Sequence, residues 1–403
     1  MLPYHVLLID IFKSYLQVVL NKALLYGLLI FLLSSTVCLA QYPEEKPEDK
    51  PYLKLGGAVR FNYNLSTWKE DQLERGGDFG FDLFRINAEA EYRGIKLNAE
   101  FRHYSEAFGG AFLKQGWFQY DFSDRSQIQV GLHQVPFGIQ QYNSNNWFFN
   151  MTYYVGFEDD HDMGVKYIHD SGRWQWQAAY YKSAEDFVFS STEPSPNRYS
   201  YDVTGRNKEN NQLDFKVLRR LGDSLAHELG ISLQGGLLYN LDTEQNGTRY
   251  AGAVHYEYEA AHSPWNIKLQ AMLYRFNPEY AAGNDLNFIE MGAYGANYNV
   301  ANKGEIYTAG ISYRIPIDTR LLQSIDVYNN YGYYNKRISG YENAHMNVLG
   351  ALFTAGPMYI YTDAAFGYNH PWLGPEWTNA FTTGTPGDTD WHLRFNINMG
   401  YYF

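Results

Sequence analysis

The last fifteen residues, Thr389 to Phe403, alternate with a period of two. Leu393, Phe395, Ile397, Met399, Tyr401 and Phe403 fall on one face; Arg394, Asn396, Asn398, Gly400 and Tyr402 fall on the other. This is the pattern of a strand with one apolar and one mostly polar face. It recurs along the chain. Phe84, Ile86, Ala88, Ala90 and Tyr92 oppose Arg85, Asn87, Glu89, Glu91 and Arg93. Tyr307, Ala309, Ile311, Tyr313 and Ile315 oppose Thr308, Gly310, Ser312 and Arg314. Repeated two-faced strands exclude a helical protein and leave two antiparallel solutions, a soluble sandwich or a barrel in lipid.

Two observations favour lipid. Aromatic residues make up 18% of the chain, with 37 tyrosines, many on the apolar faces. Tyrosine and tryptophan girdles at the lipid–water interfaces account for such a content. The connections also alternate in length. Short turns such as Arg93-Gly94, Ser123 to Ser126 and Gly356-Pro357 alternate with longer links such as Gln140 to Asp160 and Ser183 to Asn207. The fold expected is all-β: a transmembrane antiparallel β-barrel of about sixteen strands, with short periplasmic turns and longer outer loops. The count places Asp285 to Val300 in an outer loop, although Phe288 to Tyr298 could pass for a strand.

Lys22, the apolar run Ala23 to Leu33 and the mostly small residues Ser34 to Ala40 have the order of a secretory signal peptide. Residues 1–40 are therefore expected to be a leader with an over-extended start. Residues 41–51 are read as a short periplasmic segment, and 52–403 as the barrel. The single cysteine, Cys38, lies in the leader, so no thiol chemistry is expected in the mature chain. No stretch after residue 40 reads as a membrane-spanning helix. The expected location is the bacterial outer membrane, with its lipid and small hydrophilic solutes as partners. A net charge of −12 argues against nucleic acid.

Val130-Gly131-Leu132-His133-Gln134-Val135-Pro136-Phe137-Gly138 resembles the strand and turn that precede a long loop in the phosphate-selective porin O and P family of bacterial outer-membrane porins. Phe84 to Glu89, Gly292-Ala293-Tyr294-Gly295 and the terminal Phe403 resemble that family as well. The resemblance implies a passive diffusion channel, anions such as phosphate among its solutes, and a homotrimer. One departure bears on the solute: Gln134 stands where the family carries a basic residue, with His133 beside it.

The loop Gln140 to Asp160 is rich in aromatic residues, which a free aqueous loop disfavours. It is expected to fold inward and narrow the pore, with a loop that caps the barrel outside or sits at the lipid interface as the alternative. Asn143, Asn145 and Asn146 are candidate contacts for solutes, and Glu158, Asp159 and Asp160 close the loop. Candidate pore-lining basic residues are Arg60, Arg85, Arg93, Lys96, Arg102, Lys166, Arg314 and Arg394. Rings of charge set pore selectivity. Around Arg85 to Arg102, Glu89, Glu91 and Glu100 share the polar faces and are expected to neutralise the basic groups. Arg314 and Arg394 lack such neighbours in sequence.

No HExxH, GxSxG, GxGxxG or P-loop pattern occurs, and neither a reaction nor a cofactor is expected. Asp159-Asp160-His161-Asp162 is the densest group of metal-ligand types, and a solvated loop end is the simpler reading of it. The alternatives to a channel are an outer-membrane barrel enzyme of hydrolase type and a closed structural or adhesive barrel.

Overall fold

The computed structural model describes residues 51–185, 192–281, 286–382 and 390–403. The expected leader, residues 41–50, Asp285, residues 383–388 and Thr389 lie outside them.

The wall is built from sixteen strands. The first seven are β1 (Tyr52–Ser66), β2 (Asp78–Tyr92), β3 (Ile95–His103), β4 (Ala111–Ser123), β5 (Ser126–Gln134), β6 (His161–Asp170) and β7 (Trp174–Ala184). After the short β8 (Asp202–Val203) come β9 (Asn207–Leu221), β10 (His227–Asn240), β11 (Asn246–Glu259) and β12 (Trp265–Asn277). A hairpin of β13 (Phe288–Ala293) and β14 (Ala296–Ala301) precedes β15 (Lys303–Pro316), β16 (Ser324–Asn335), β17 (Ala344–Ala355), β18 (Met358–Tyr368) and β19 (His392–Tyr402). All but β8, β13 and β14 pair with their neighbours in one closed ring. The seam joins the two ends of the chain, in register from Ala58 opposite Tyr402 to Ser66 opposite Arg394. Gly57 and Phe403 exchange backbone hydrogen bonds of 2.8 and 3.1 Å there. A Cβ at Gly57 would meet the Arg85 carbonyl at 2.3 Å, so the seam needs a glycine at that point.

Burial is inverted relative to a soluble sheet. Outward-facing Leu233, Val254 and Leu349 are 57%, 53% and 57% exposed, whereas inward-facing Asp363 and Asn396 are 0% exposed. An apolar outside around a polar inside is stable only where the surrounding solvent is hydrocarbon. Strands of 9 to 15 residues are long enough to cross it when tilted. Aromatic groups mark both rims. Trp265 packs on Tyr313 at 4.6 Å near the short turns, and Trp391 lies 5.7 Å from His345 at the other end.

The tight turns fall where Gly and turn residues predict. Arg93 and Gly94 both take positive φ, 51° and 78°, as a two-residue hairpin turn demands. That conformation removes Arg93 from the candidate lumen residues: it is exposed at the turn, its guanidinium 5.1 Å from the Tyr92 ring. The region Phe288 to Ala301 is in strand conformation, but it does not join the wall. Tyr294 and Gly295 (φ 52° and 78°) turn β13 onto β14, and β13 also pairs with β8. These three strands form a separate small sheet among the long loops. The barrel count therefore stays at sixteen although this segment is extended. Where the long loops meet, Tyr153, Tyr154, Tyr201, Tyr298 and Phe381 join a large buried apolar cluster.

Candidate functional site: a cavity between the inner wall and an infolded loop

The loop between β5 and β6 turns inward at Gly138. Its φ is 60°, and a Cβ there would meet Gln270 Oε1 at 2.4 Å. Glycine is required on both counts. The backbone N–H of Gly138 donates to Ser232 Oγ (3.0 Å) and that of Ile139 to Gln270 Oε1 (2.8 Å). Further along, Lys268 Nζ donates to the Tyr142 carbonyl (2.8 Å), and Asn143 Nδ2 to Thr308 Oγ1 (2.9 Å). Asn146 Nδ2 donates to Asn330 Oδ1 (3.0 Å), and Trp147 N–H to Asp363 Oδ2 (3.2 Å). These partners sit on β10, β12, β15, β16 and β18, across the barrel from β5. The loop therefore crosses the interior and is anchored to the far wall.

A cavity of about 780 Å³ remains beside it. It extends from Gln72, Phe108 and Trp372 at the long-loop end to Glu259, Asn266 and Tyr402 near the short turns. The loop brings Tyr142, Trp147, Phe148, Phe149 and Tyr154 to the lining, together with Asn145 and Asn146. The wall brings Arg60, Asn62, Asn64, Asp82, Arg85, Arg102 and Arg394, and tyrosines such as Tyr361 and Tyr402. The lining thus mixes aromatic rings with charged and amide groups.

The candidate basic residues divide by partner. Arg60 Nε is 2.9 Å from Asp82 Oδ2. Arg102 Nε is 2.6 Å from Glu100 Oε1, and Arg85 Nη1 is 3.8 Å from Glu100 Oε2, so one carboxylate serves two guanidinium groups. Lys96 pairs with Asp121 at 2.5 Å and does not line the cavity. Lys166 is buried at the root of the loop, donating to the Gln134 carbonyl at 2.8 Å, and does not line this cavity. Arg314 lines the cavity but is not unpaired as its sequence neighbours suggest. The adjacent strand brings Asp326 Oδ1 to 2.6 Å from its Nε.

Arg394 differs. Among the described residues it has no carboxylate partner. Its Nε donates to Asn64 Oδ1 (2.9 Å), and its guanidinium lies 5.5 Å from the Phe148 ring and 5.7 Å from the Trp372 ring. Aromatic faces hold a cation without cancelling its charge.

The loop candidates also separate. Asn145 and Asn146 line the cavity. Asn143 does not: it is buried and serves as an anchor to Thr152 and Thr308. The three closing carboxylates face into protein, because each has a structural partner or neighbour there. Glu158 accepts from Asn143 N–H (2.9 Å), Asn150 N–H (3.2 Å) and Thr152 Oγ1 (2.7 Å). Asp159 Oδ2 accepts from Lys114 Nζ (2.8 Å) and the Tyr199 hydroxyl (2.6 Å). Asp160 lies in a group of four buried carboxylates. Lys114 and Lys268, which hold the loop, were not among the sequence candidates. Lys268 was accessible to the alternation argument, since Asn266, Lys268 and Gln270 share a polar face.

Burial pushes the Glu158 carboxyl up to about 7 despite its three hydrogen bonds. The folded loop thus holds a proton that the unfolded chain, at the ordinary 4.5, has released. Its contribution to stability is full below about 4.5 and falls by about 1.4 kcal/mol per pH unit up to about 7. In thermal unfolding from pH 4.5 to 7.5, Glu158→Gln is expected to show a shallower downward slope than the wild type. Identical slopes in the two proteins would refute this.

No family model matches the chain, and no curated protein matches it. Solved structures do. An anion-selective porin from Comamonas acidovorans is 13% identical, with 88% of this chain and 100% of that chain covered and a TM-score of 0.58. OmpF of Salmonella typhi, in complex with daunomycin, is 12% identical, with 88% and 98% covered and a TM-score of 0.59. OmpT of Vibrio cholerae, an outer membrane protein in trimer form, is 13% identical, with 88% and 100% covered and a TM-score of 0.54. At such identities the likeness is one of fold: the chain has the sixteen-stranded barrel architecture of outer-membrane porins.

Proposed function

We propose that this protein is a passive channel of the bacterial outer membrane for small hydrophilic solutes, with a preference for anions. The observation that carries the reading is the cavity beside the infolded loop, which extends from the long-loop end towards the short turns and bears the unpaired charge of Arg394. Of the other arginines that line it, Arg60 and Arg314 each face their own carboxylate, while Arg85 and Arg102 share Glu100 and leave one further positive charge on the wall. The anion-selective porin of similar fold is consistent with the preference. Phosphate as the particular solute rests on the short sequence resemblance, and the Gln134 departure weakens it. Gln134 is occupied in holding the loop, with Nε2 donating to the Gln141 carbonyl and to Asp159. A homotrimer belongs to the same reading, and the Vibrio cholerae neighbour is described in such a form.

The test is single-channel recording in a planar bilayer under a salt gradient. Stable open events with an anion-directed reversal potential are expected. A cation-directed potential would refute the anion preference and leave the channel standing. A second reading, a closed barrel, draws support from the aromatic cluster among the long loops. Absence of conductance from folded, heat-modifiable protein would favour it over the channel.

A further inference from the structure

The loop end and the small inner sheet enclose a feature that solute passage does not use. Asp160, Asp162, Glu185 and Asp202 each bring one carboxylate oxygen into a group in which all four lie within 4.8 Å of one another. The residues come from the end of the infolded loop, the start of β6, the segment after β7 and β8. They are 4%, 1%, 5% and 2% exposed.

Nearby cations do not balance this charge. Arg198 Nη1 is 3.0 Å from Asp202 Oδ2 and 3.6 Å from Glu185 Oε2. Arg249 is engaged by Glu209. Asp162 Oδ2 accepts from Gln212 Nε2 (3.1 Å), Glu185 Oε1 from Ser200 Oγ (3.1 Å) and Asp202 Oδ1 from Val203 N–H (2.7 Å). Oδ1 of Asp160 and Oδ1 of Asp162 are buried with no donor at all. A buried carboxylate oxygen with no donor, set among other carboxylates, is costly unless a cation completes it. In the bare protein, burial and the charges of Asp202 and Glu185 hold the Asp160 carboxyl well above its ordinary range.

We propose that these four side chains bind a calcium ion that ties the infolded loop to the inner sheet. The ligands are all hard oxygen donors, as calcium prefers. Four oxygens within 4.8 Å of one another can share one ion at the roughly 2.4 Å of calcium contacts. An all-carboxylate protein cage suits calcium better than magnesium, which keeps several waters and takes only one or two carboxylates. Two carboxylates of the four would be neutralised by the ion, and Arg198 already contacts Asp202 and Glu185. The site is fully enclosed, so its role is to fix the loop rather than to meet a solute.

The test uses the whole protein purified in detergent, free of lipopolysaccharide, and stripped with a calcium chelator. Elemental analysis after calcium is restored and excess dialysed away is expected to find about one calcium per chain. The unfolding temperature should rise by several degrees with calcium and by much less with equal magnesium. Asp160→Asn with Asp162→Asn should abolish both responses and, in chelator, unfold at a higher temperature than the wild type, because like charges have been removed. Wild type that retains no calcium and shows no shift would overturn the proposal, as would an equal response to magnesium. If the variant does not fold, the metal content and shift of the wild type decide alone. Channel recordings are separate: loss of conductance would refute the proposed function without touching this site.

Discussion

Lys114→Ala is expected to be among the most destabilising single substitutions in this barrel, at about 3–5 kcal/mol. Lys114 Nζ and Asp159 Oδ2 are 2.8 Å apart, with side chains 1% and 0% exposed. The pair links β4 to the end of the infolded loop. Removing the ammonium leaves a buried carboxylate with only the Tyr199 hydroxyl (2.6 Å) and a long contact from Gln134 Nε2 (3.3 Å). The ammonium also faces the rings of Tyr199 (4.5 Å) and Tyr142 (5.5 Å), so a packing contact goes with the charge. The measurement is the temperature at which the folded form is lost in detergent. The double variant Lys114→Met, Asp159→Leu should recover most of the loss, since apolar pairs often replace buried ion pairs at little cost. A Lys114→Ala protein as stable as the wild type would show that the ion pair does not hold the loop.

The second large effect concerns permeation. Arg394→Glu is expected to reverse the sign of the ion preference, and Arg394→Ala to reduce it. A unit charge at 4 Å changes an ion's energy by about 1 kcal/mol in water and by more in a partly enclosed site. That corresponds to a roughly fivefold or larger fall in the anion-to-cation permeability ratio, read from the reversal potential under a salt gradient. Arg314→Ala is the control. Removing Arg314 leaves Asp326 uncompensated, so its effect should be a shift toward cations through the freed carboxylate. The double variant Arg314→Ala, Asp326→Ala should cancel that shift. If Arg394→Ala leaves the reversal potential unchanged, Arg394 is not the source of selectivity.

The wall of this barrel was legible in the sequence because a strand that separates lipid from water must alternate. The β19 pattern, the positions of the short turns and the inward direction of Arg60, Arg85, Arg102 and Arg394 all follow from that rule. What failed did so at right angles to the strand. The partner of Arg314 is Asp326, on the next strand, and register between strands is not written in either strand alone. Arg93 obeyed the alternation but sat one residue inside a turn. Phe288 to Ala301 carries true strand chemistry, and only tertiary pairing with β8 shows that it belongs to the inner sheet. The four-carboxylate group was half visible, through Asp160 and Asp162. Glu185 and Asp202 stand far enough along the chain that no spacing rule connects them.

The seam between β1 and β19 sets the order in which the molecule can be made. Every other junction in the wall joins strands that follow one another along the barrel order, so hairpins can form early and locally. The last junction brings together partners such as Asn64 and Arg394, 330 residues apart. Closing a free loop of that length costs about 3 kcal/mol more than closing one of fifteen residues. Building the hairpins first shortens the effective distance but leaves two open edges until the end. An unpaired edge is both a template for the wrong strand and unsatisfied backbone in lipid. Folding of this chain therefore leaves the edge of the first strand open until the final one arrives. The rate of that single late annealing event, rather than the stability of any one hairpin, should govern the yield of folded protein.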